Sequence, residues 1–246
     1  MPESLSQLSE IVQLWFASLR AEPEQVEKLF LLLDKEEQQR AARLRGANDR
    51  NEFTVAHAFF RQVLAFHLGI SPQDIGFRYE PHGKPALAHS AELQFNFSHS
   101  GDVAVVAVAQ NPRVGIDVEV MRELPDLIDM CQRYFCPSET SRIMASAGEA
   151  QCRSFYMHWT GKEAYLKAQG DGLFTPLNSF EVIPPGTGPE PSLKIGDARE
   201  RGDWSIRWFQ PRDEVMCAVV AEGLDWRLKA AKWLPVEGRS STDTRL

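Results

Sequence analysis

Residues 93–120, LQFNFSHSGDVAVVAVAQNPRVGIDVEV, contain the pattern that decides the fold. Three apolar runs, at 93–97, 103–109 and 114–120, are rich in Val, Phe and Ile and are typical of β-strands. Short Ser-Gly-Asp and Asn-Pro-Arg segments separate the runs, and connections of this length favour antiparallel neighbours. The stretch therefore predicts a three-stranded antiparallel meander.

The chain on either side of this stretch repeats one order of elements. Before it, apolar periodicity predicts a strand, two short helices and a long helix, at 12–19, 24–33, 34–45 and 49–69. After it, the pattern predicts helical segments and four strands, at 125–146, 150–169, 180–183, 192–195, 204–209 and 215–221. The second set of elements thus follows the order of the first.

This duplicated order predicts an α+β protein of two similar α/β halves related by a pseudo-twofold axis. We expect an N-terminal half at 1–112 and a C-terminal half at 113–225. Residues 226–246 are predicted to form a tail, because small and polar residues dominate their end. The cleft between two such halves is a common place for a ligand.

The composition is that of an ordinary globular protein. The 246 residues are 43% hydrophobic and 25% charged, with a formal net charge of −7. This acidic balance argues against bulk electrostatic binding to nucleic acid or to an anionic membrane. No uncharged stretch approaches the ~20 residues of a membrane span, and we expect no leader because the first residues are polar and acidic. Four cysteines without CxxC spacing are expected to be reduced thiols, so we expect a cytoplasmic protein.

Two carboxylates stand two residues apart in the segment GIDVE, residues 115–119. Side chains alternate along a strand, so Asp117 and Glu119 share one face while Ile116 and Val118 face the core. Neighbouring carboxylates repel each other unless solvent or a cation separates them, and hard oxygen ligands favour magnesium or calcium. An exposed strand face is the alternative for this motif taken alone.

The predicted second long helix carries Trp159, Glu163 and Lys167 at i, i+4 and i+8, which places them on one stripe with Lys162 beside it. A helix stabilised by a Glu163–Lys167 pair is the alternative interpretation. If this helix packs beside the Asp117 strand, Glu163 completes a three-carboxylate magnesium site. The two lysines then offer positive charge to a phosphate.

Two further segments carry polar groups that suit phosphate binding. Ser98 and His99 are adjacent on a strand and point apart, so the Ser–His hydrogen bond of a hydrolytic nucleophile is not expected. A hydroxyl and an imidazole at a strand end suit phosphate better, with a structural turn contact as the alternative. The His82-Gly83-Lys84-Pro85 segment places a cation in a constrained turn, and by itself it is a common turn.

In this order, the segments resemble the motifs of the Sfp-type 4'-phosphopantetheinyl transferases. The matching segments are PHGKP (81–85), FNFSHSG (95–101), GIDVE (115–119), WTGKEAYLKAQGDGL (159–173) and PLNSFEV (176–182). The resemblance covers roughly residues 10–222. It implies a pseudo-twofold fold and transfer of the 4'-phosphopantetheine arm of coenzyme A to a serine of an acyl or peptidyl carrier protein. The second product is then adenosine 3',5'-bisphosphate.

The resemblance also implies the metal site and the catalytic pair. Asp117, Glu119 and Glu163 are the expected ligands of Mg²⁺ against the pyrophosphate. Glu163 and Lys167 are the expected catalytic residues, with Lys167 neutralising charge on the pyrophosphate. The acceptor of the serine proton stays open among Glu163, a metal-bound water and Glu139, which also matches a family position near the metal.

A set of coenzyme A contacts follows from the same resemblance: Lys84, Ser98, His99, Lys162 and Lys167. The start of the first long helix departs from the family pattern, because Glu52 and Phe53 stand where many relatives carry a basic or hydroxyl-bearing pair. The basic residues left as contacts for the 3'-phosphate of coenzyme A are Arg40, Arg43 and Arg50.

The expected carrier protein is small and acidic and docks through apolar contacts and a local basic surface. We expect a monomer that binds neither nucleic acid nor a membrane. Two other functions use the same residues. One is magnesium-dependent hydrolysis of coenzyme A or a nucleotide pyrophosphate. The other is coenzyme A or carrier binding without chemistry. Which carrier pathway is served, and whether acyl-coenzyme A is accepted, stay open from sequence.

Overall fold

The computed structural model describes residues 11–80, 83–88, 92–170, 175–186, 192–195, 203–233 and 241–244. The first set of elements is β1 (Ile11–Ser18), α1 (Pro23–Phe30), α2 (Lys35–Arg43), α3 (Ala47–Leu68), a 3₁₀ helix (Pro72–Asp74), β2 (Phe77–Tyr79), β3 (Pro85–Leu87), β4 (Leu93–Ser100) and β5 (Val103–Gln110). The second set is β6 (Val114–Val120), α4 (Leu127–Tyr134), α5 (Pro137–Met144), α6 (Gly148–Gln169), a 3₁₀ helix (Leu177–Ser179), β7 (Phe180–Ile183), β8 (Ser192–Ile195), β9 (Trp204–Phe209) and β10 (Val215–Glu222). Two further strands, β11 (Arg227–Lys232) and β12 (Ser241–Thr244), follow.

The strands form two main sheets with matching topology. The first sheet has the order β12-β11-β1-β5-β4 and the second has the order β6-β10-β9, while β2-β3 and β7-β8 are separate hairpins. In the first half β1 pairs antiparallel with β5, and β5 pairs antiparallel with β4. In the second half β6 pairs antiparallel with β10, and β10 pairs antiparallel with β9. The α+β class with two similar halves is therefore confirmed. The predicted meander is wrong at its third strand, because β6 pairs with β10 and joins the other sheet.

The two sheets stack face to face, and the long helices cover their outer faces. The apolar layer between the sheets includes Val105 from the first sheet and Val219 from the second. Helix α3 packs on the outer face of the first sheet, and α6 packs on the outer face of the second. Burial on both sides explains why β5 and β10 are almost continuously apolar.

Gly115 allows α6 to approach β6 unusually closely. A Cβ atom at this position would lie 2.0 Å from the carbonyl oxygen of Ala164 and 2.3 Å from the backbone nitrogen of Ala168. Any side chain here would collide with helix backbone, so only glycine permits the contact. This close approach sets the helix residue Lys167 against the strand residue Asp117.

A buried cation in each half shows the duplication at the level of single contacts. Arg61 on α3 is fully buried and forms ion pairs with Asp34 and Glu37. Its guanidinium also donates to the carbonyl oxygens of Pro72 at 2.8 Å and Ile75 at 3.2 Å. These contacts tie α3 to the start of α2 and to the 3₁₀ helix.

Lys162 occupies the matching position in the second half, since both cations are the fifteenth residue of a 22-residue helix. Its ammonium lies 2.9 Å from the Glu139 carboxylate and donates to the carbonyl oxygens of Leu177 at 2.7 Å and Phe180 at 2.6 Å. Glu37 and Glu139 are both the third residue of their short helices. The same arrangement of charges therefore stabilises both halves.

The chain after residue 225 differs from the predicted tail. Residues 227–232 form β11, which adds a parallel strand to β1. The Trp233 indole N–H donates to the Gln62 side chain at 3.0 Å, so the segment is anchored to α3 as well. Three of the six residues of β11 are charged, Arg227, Lys229 and Lys232, and this charge obscured the strand in the sequence. Within the described residues, no helix is both long and apolar enough to cross a membrane.

Candidate active site

The edges of the two sheets meet where β4 lies beside β6. The apolar side chains of β4 pack towards α3, so Asn96, Ser98 and Ser100 point the other way, towards β6. The backbone N–H of Ile116 donates to Asn96 Oδ1 at 2.8 Å, and that of Val120 donates to Ser100 Oγ at 3.1 Å. Side chains of the first half thus satisfy edge groups of the second half.

Asp117 is the centre of a buried hydrogen-bonded cluster at this junction. Its Oδ1 atom accepts from Ser98 Oγ at 3.0 Å and from Lys167 Nζ at 2.6 Å. Lys167 Nζ also donates to Ser98 Oγ at 3.0 Å. Asp117 is only 4% exposed, and its Oδ2 atom is buried without a hydrogen-bond partner. Burial raises the pKa of Asp117, while the Lys167 charge and the hydrogen bonds from Lys167 and Ser98 oppose that rise.

Glu119 and Glu163 complete a group of three neighbouring carboxylates. Ser100 Oγ donates to Glu119 Oε2 at 2.8 Å. Burial raises the pKa of Glu119, the Ser100 hydrogen bond opposes this, and the Asp117 charge adds to the rise. Burial also raises the pKa of Glu163, and the charges of Asp117 and Glu119 raise it further. The three groups are therefore close enough to disfavour each other's ionised forms.

The three carboxylates have the donor chemistry for a hard divalent cation, but in this arrangement they do not form a coordination cage. Across the part of the chain that the structure describes, no three His, Cys, Asp or Glu residues converge closely enough to hold a metal ion. The Lys167 ammonium neutralises Asp117 in this arrangement. The unpartnered Oδ2 of Asp117 and the two carboxylates nearby are oxygen donors of the kind that Mg²⁺ prefers.

Lys84 contacts both β6 and α6, the two elements that carry the three carboxylates. Its ammonium donates to the carbonyl oxygens of Ala168 at 3.0 Å and Val114 at 3.3 Å. Burial lowers the pKa of Lys84 to about 8, and the charge of Glu80 opposes that change. The lysine therefore places a partly buried positive charge at the end of α6. Its predicted neighbour His82 lies outside the described residues.

His99 stands at the exposed end of β4, beside a histidine that the sequence reasoning missed. Burial and the positive charges of His57 and Lys167 lower the pKa of His99. His57 Nδ1 lies 2.8 Å from Glu37 Oε1, and its ring stacks on Phe53 at 4.0 Å. The imidazoles and Lys167 therefore form a row of basic groups along the junction. Four-residue spacing from Phe53 on a helix could have indicated His57.

Lys162 and Glu139 lie away from this cluster, which corrects the expectation that Lys162 contacts the ligand. Lys162 is fully buried, and all of its ammonium contacts lie inside the second half. Both Glu139 oxygens accept backbone N–H groups, of Cys136 and Val182, each at 2.7 Å. Adjacent helix residues point about 100° apart, so Lys162 faces α5 while Glu163 faces β6. Glu139 is therefore no longer a candidate for the proton acceptor.

The sequence reasoning also missed Asn96 and Ser100. Both follow from the alternation of FNFSHS, in which every second residue is polar. Alternation identified a polar face on β4, but it did not indicate which strand that face would meet.

Comparison with known proteins matches both halves of the chain. The family model described as the 4'-phosphopantetheinyl transferase superfamily matches residues 113–220, and one described as 4'-phosphopantetheinyl transferase, N-terminal, matches residues 18–111. The 4'-phosphopantetheinyl transferase HetI of Nostoc sp. is 34% identical over 231 residues, covering 93% of this chain and 94% of that protein.

A second curated relative is also named a 4'-phosphopantetheinyl transferase. A 4'-phosphopantetheinyl transferase of Bacillus subtilis is 31% identical over 200 residues, covering 81% of this chain and 87% of that protein. Among solved structures, the holo-[acyl-carrier-protein] synthase of Thermotoga maritima overlaps 46% of this chain and 63% of its own, with 21% identity and a TM-score of 0.36. The sequence relatives, which span most of both chains, are the more informative comparison.

Proposed function

Because this chain belongs to the 4'-phosphopantetheinyl transferase superfamily, we propose that it transfers 4'-phosphopantetheine from coenzyme A to a serine of an acyl or peptidyl carrier protein. The observation that carries the proposal is the buried Asp117–Ser98–Lys167 cluster beside two more carboxylates at the junction of the halves. It combines acidic groups for a cation with basic groups for phosphate, which transfer from a pyrophosphate requires.

The chemistry is a displacement at phosphorus. The carrier serine oxygen forms a bond to the phosphorus that bears pantetheine, and the bond from this phosphorus to the bridging pyrophosphate oxygen breaks. Adenosine 3',5'-bisphosphate leaves with the bridging oxygen. The serine proton needs an acceptor near the cluster, and the cluster offers a carboxylate for it.

Glu163 is the proposed proton acceptor. Burial and two neighbouring carboxylates raise its pKa, which makes it a stronger base than an exposed glutamate. The structure records no hydrogen bond to its carboxylate from any residue that it describes. One carboxylate oxygen can therefore face a substrate hydroxyl without breaking a contact to the described protein residues, which leaves the other oxygen for the cation.

The remaining groups bind and neutralise the substrate. Asp117, Glu119 and Glu163 would hold Mg²⁺, which supplies charge neutralisation at the pyrophosphate when bound. Lys167 donates hydrogen bonds to oxygens that gain charge as the bond breaks, and its ion pair with Asp117 holds the ammonium at the cluster. Lys84, together with Ser98 and His99, binds the coenzyme's phosphates or adenosine portion. We also propose a monomeric cytoplasmic enzyme that acts on a small acidic carrier protein.

The test is intact-mass spectrometry of an apo carrier protein incubated with this protein, coenzyme A and Mg²⁺. The expected result is a mass gain of one phosphopantetheine, abolished by EDTA and by Asp117→Asn. Asp213→Asn is a matched control, because Asp213 is an exposed carboxylate on the turn before β10. Free phosphopantetheine released without any carrier would instead indicate a hydrolase. Coenzyme A binding without any modified product would indicate a binding protein.

A further inference from the structure

The hydroxyl of Ser100 is held in one orientation by two contacts to β6. It accepts the backbone N–H of Val120 at 3.1 Å and donates to Glu119 Oε2 at 2.8 Å. A serine hydroxyl has a single proton, so this proton is committed to the carboxylate. Ser100 comes from the first half of the chain and Glu119 from the second, so the contact couples the halves at the site.

Ser100 and Ser98 match the carboxylates of β6 in spacing. Ser98 and Ser100 are two residues apart on β4, and Asp117 and Glu119 are two residues apart on β6. Each serine donates to one carboxylate, at 3.0 Å and 2.8 Å. The polar face of β4 therefore holds each of the two carboxylates of β6 with one serine hydrogen bond.

Asn96 provides a comparison for Ser100, because it also accepts a backbone N–H of β6. It accepts the Ile116 backbone N–H at 2.8 Å, much as Ser100 accepts that of Val120. The contact recorded for Asn96 is to backbone and not to a carboxylate. Loss of either side chain removes a backbone hydrogen bond, but only loss of Ser100 also removes a hydrogen bond to Glu119, whose carboxylate then keeps, among the described residues, only its hydrogen bond with Trp159.

We propose that Ser100 is a positioning residue, whose hydroxyl holds the Glu119 carboxylate in place to bind a divalent cation. The N-terminal half thereby sets the metal affinity of ligands that the C-terminal half carries. Hydrogen bonds to a ligating carboxylate commonly change metal affinity about 10–100-fold. The inference rests on the metal site of the proposed function.

The experiment measures the dissociation constant of Mn²⁺ alone for the full-length protein, from the electron paramagnetic resonance signal of free Mn²⁺. Ser100→Ala is compared with Ser100→Thr, which keeps the hydroxyl, and with Asn96→Ala. Ser100→Cys serves as a weaker donor of similar size should Ser100→Ala fail to fold. Asp117→Asn reports binding outside the site, and thermal unfolding is recorded for every variant.

Ser100→Ala is expected to weaken Mn²⁺ binding by about tenfold or more, whereas Ser100→Thr stays close to wild type. Asn96→Ala is expected to lower the unfolding temperature without changing Mn²⁺ affinity. Equal Mn²⁺ affinity of Ser100→Ala, or of Ser100→Cys in its place, and wild type overturns the inference. Equal binding by wild type and Asp117→Asn overturns the metal site, and this inference with it. If the transfer reaction itself is wrong, Mn²⁺ binding still depends on Asp117 and Ser100, but no carrier gains mass.

Discussion

Substitution of Gly115 by alanine tests how closely the site depends on the contact between β6 and α6. The added Cβ would lie 2.0 Å from Ala164 O, whereas ordinary contacts begin near 3.4 Å. Relief of this collision requires strand and helix to separate by about 1.4 Å, because the atoms that the Cβ meets, Ala164 O and Ala168 N, belong to the helix backbone. No side-chain rotation can absorb the change.

This displacement acts on stability and on catalysis. Overpacking of a core typically costs about 1–3 kcal/mol, and a collision of a Cβ atom with helix backbone lies at the upper end of that range. Helix α6 carries both Glu163 and Lys167, and the Lys167–Asp117 contact of 2.6 Å would be stretched beyond a hydrogen bond. Misplacement of catalytic groups by about 1 Å can cost about 100-fold in rate. We therefore expect a loss of about 3 kcal/mol in the free energy of unfolding and at least about a 100-fold loss in kcat/KM.

The assays are urea unfolding followed by circular dichroism and the initial rate of carrier modification. Gly76→Ala is the matched control, because its added Cβ would only touch Ala88 at 3.5 Å, an ordinary contact, and Gly76 does not require a positive φ. We expect this control to behave like wild type. A Gly115→Ala protein with the stability and rate of wild type would refute the argument that this close approach builds the site.

Three other predictions address the charged groups. Glu163→Gln is expected to lower kcat by orders of magnitude with an unchanged circular dichroism spectrum, and a wild-type rate would exclude Glu163 as the proton acceptor. Lys162→Met leaves the Glu139 carboxylate buried without its cation, which typically costs about 3–5 kcal/mol of stability. The KM for coenzyme A should not change, so a raised KM at unchanged stability would return Lys162 to the ligand site. Lys84 attracts phosphate only when protonated, and its pKa of about 8 means that coenzyme A affinity should fall as pH rises through that value. Lys84→Arg should show a flat calorimetric profile from pH 7 to 9, because guanidinium stays charged, and a wild-type profile equally flat would argue against the Lys84 contact.

Local patterns predicted the long helices and most strands, although not β2, β3, β11 or β12, and they predicted the internal geometry of each motif. Strands β7 and β9 begin and end where their apolar runs do, at 180–183 and 204–209. Alternation along a strand was sufficient to put Asp117 and Glu119 on one face, and helical periodicity put Glu163 and Lys167 on one stripe. These relations depend only on backbone geometry over a few residues, so a single sequence contains them.

Which surface each face meets was decided by residues far apart in the chain. Nothing local to Lys162 indicates that its side of α6 is covered by Glu139 and the 3₁₀ helix, whereas the adjacent side opens towards β6. The turn after β5 resembled a hairpin, yet β6 pairs with β10, about 100 residues later. Ser100 acquires its contact with Glu119 only because the edges of two sheets meet. Packing of distant segments creates such contacts, so the sequence alone determined the chemistry available to this protein, and the tertiary structure decided which groups share the site.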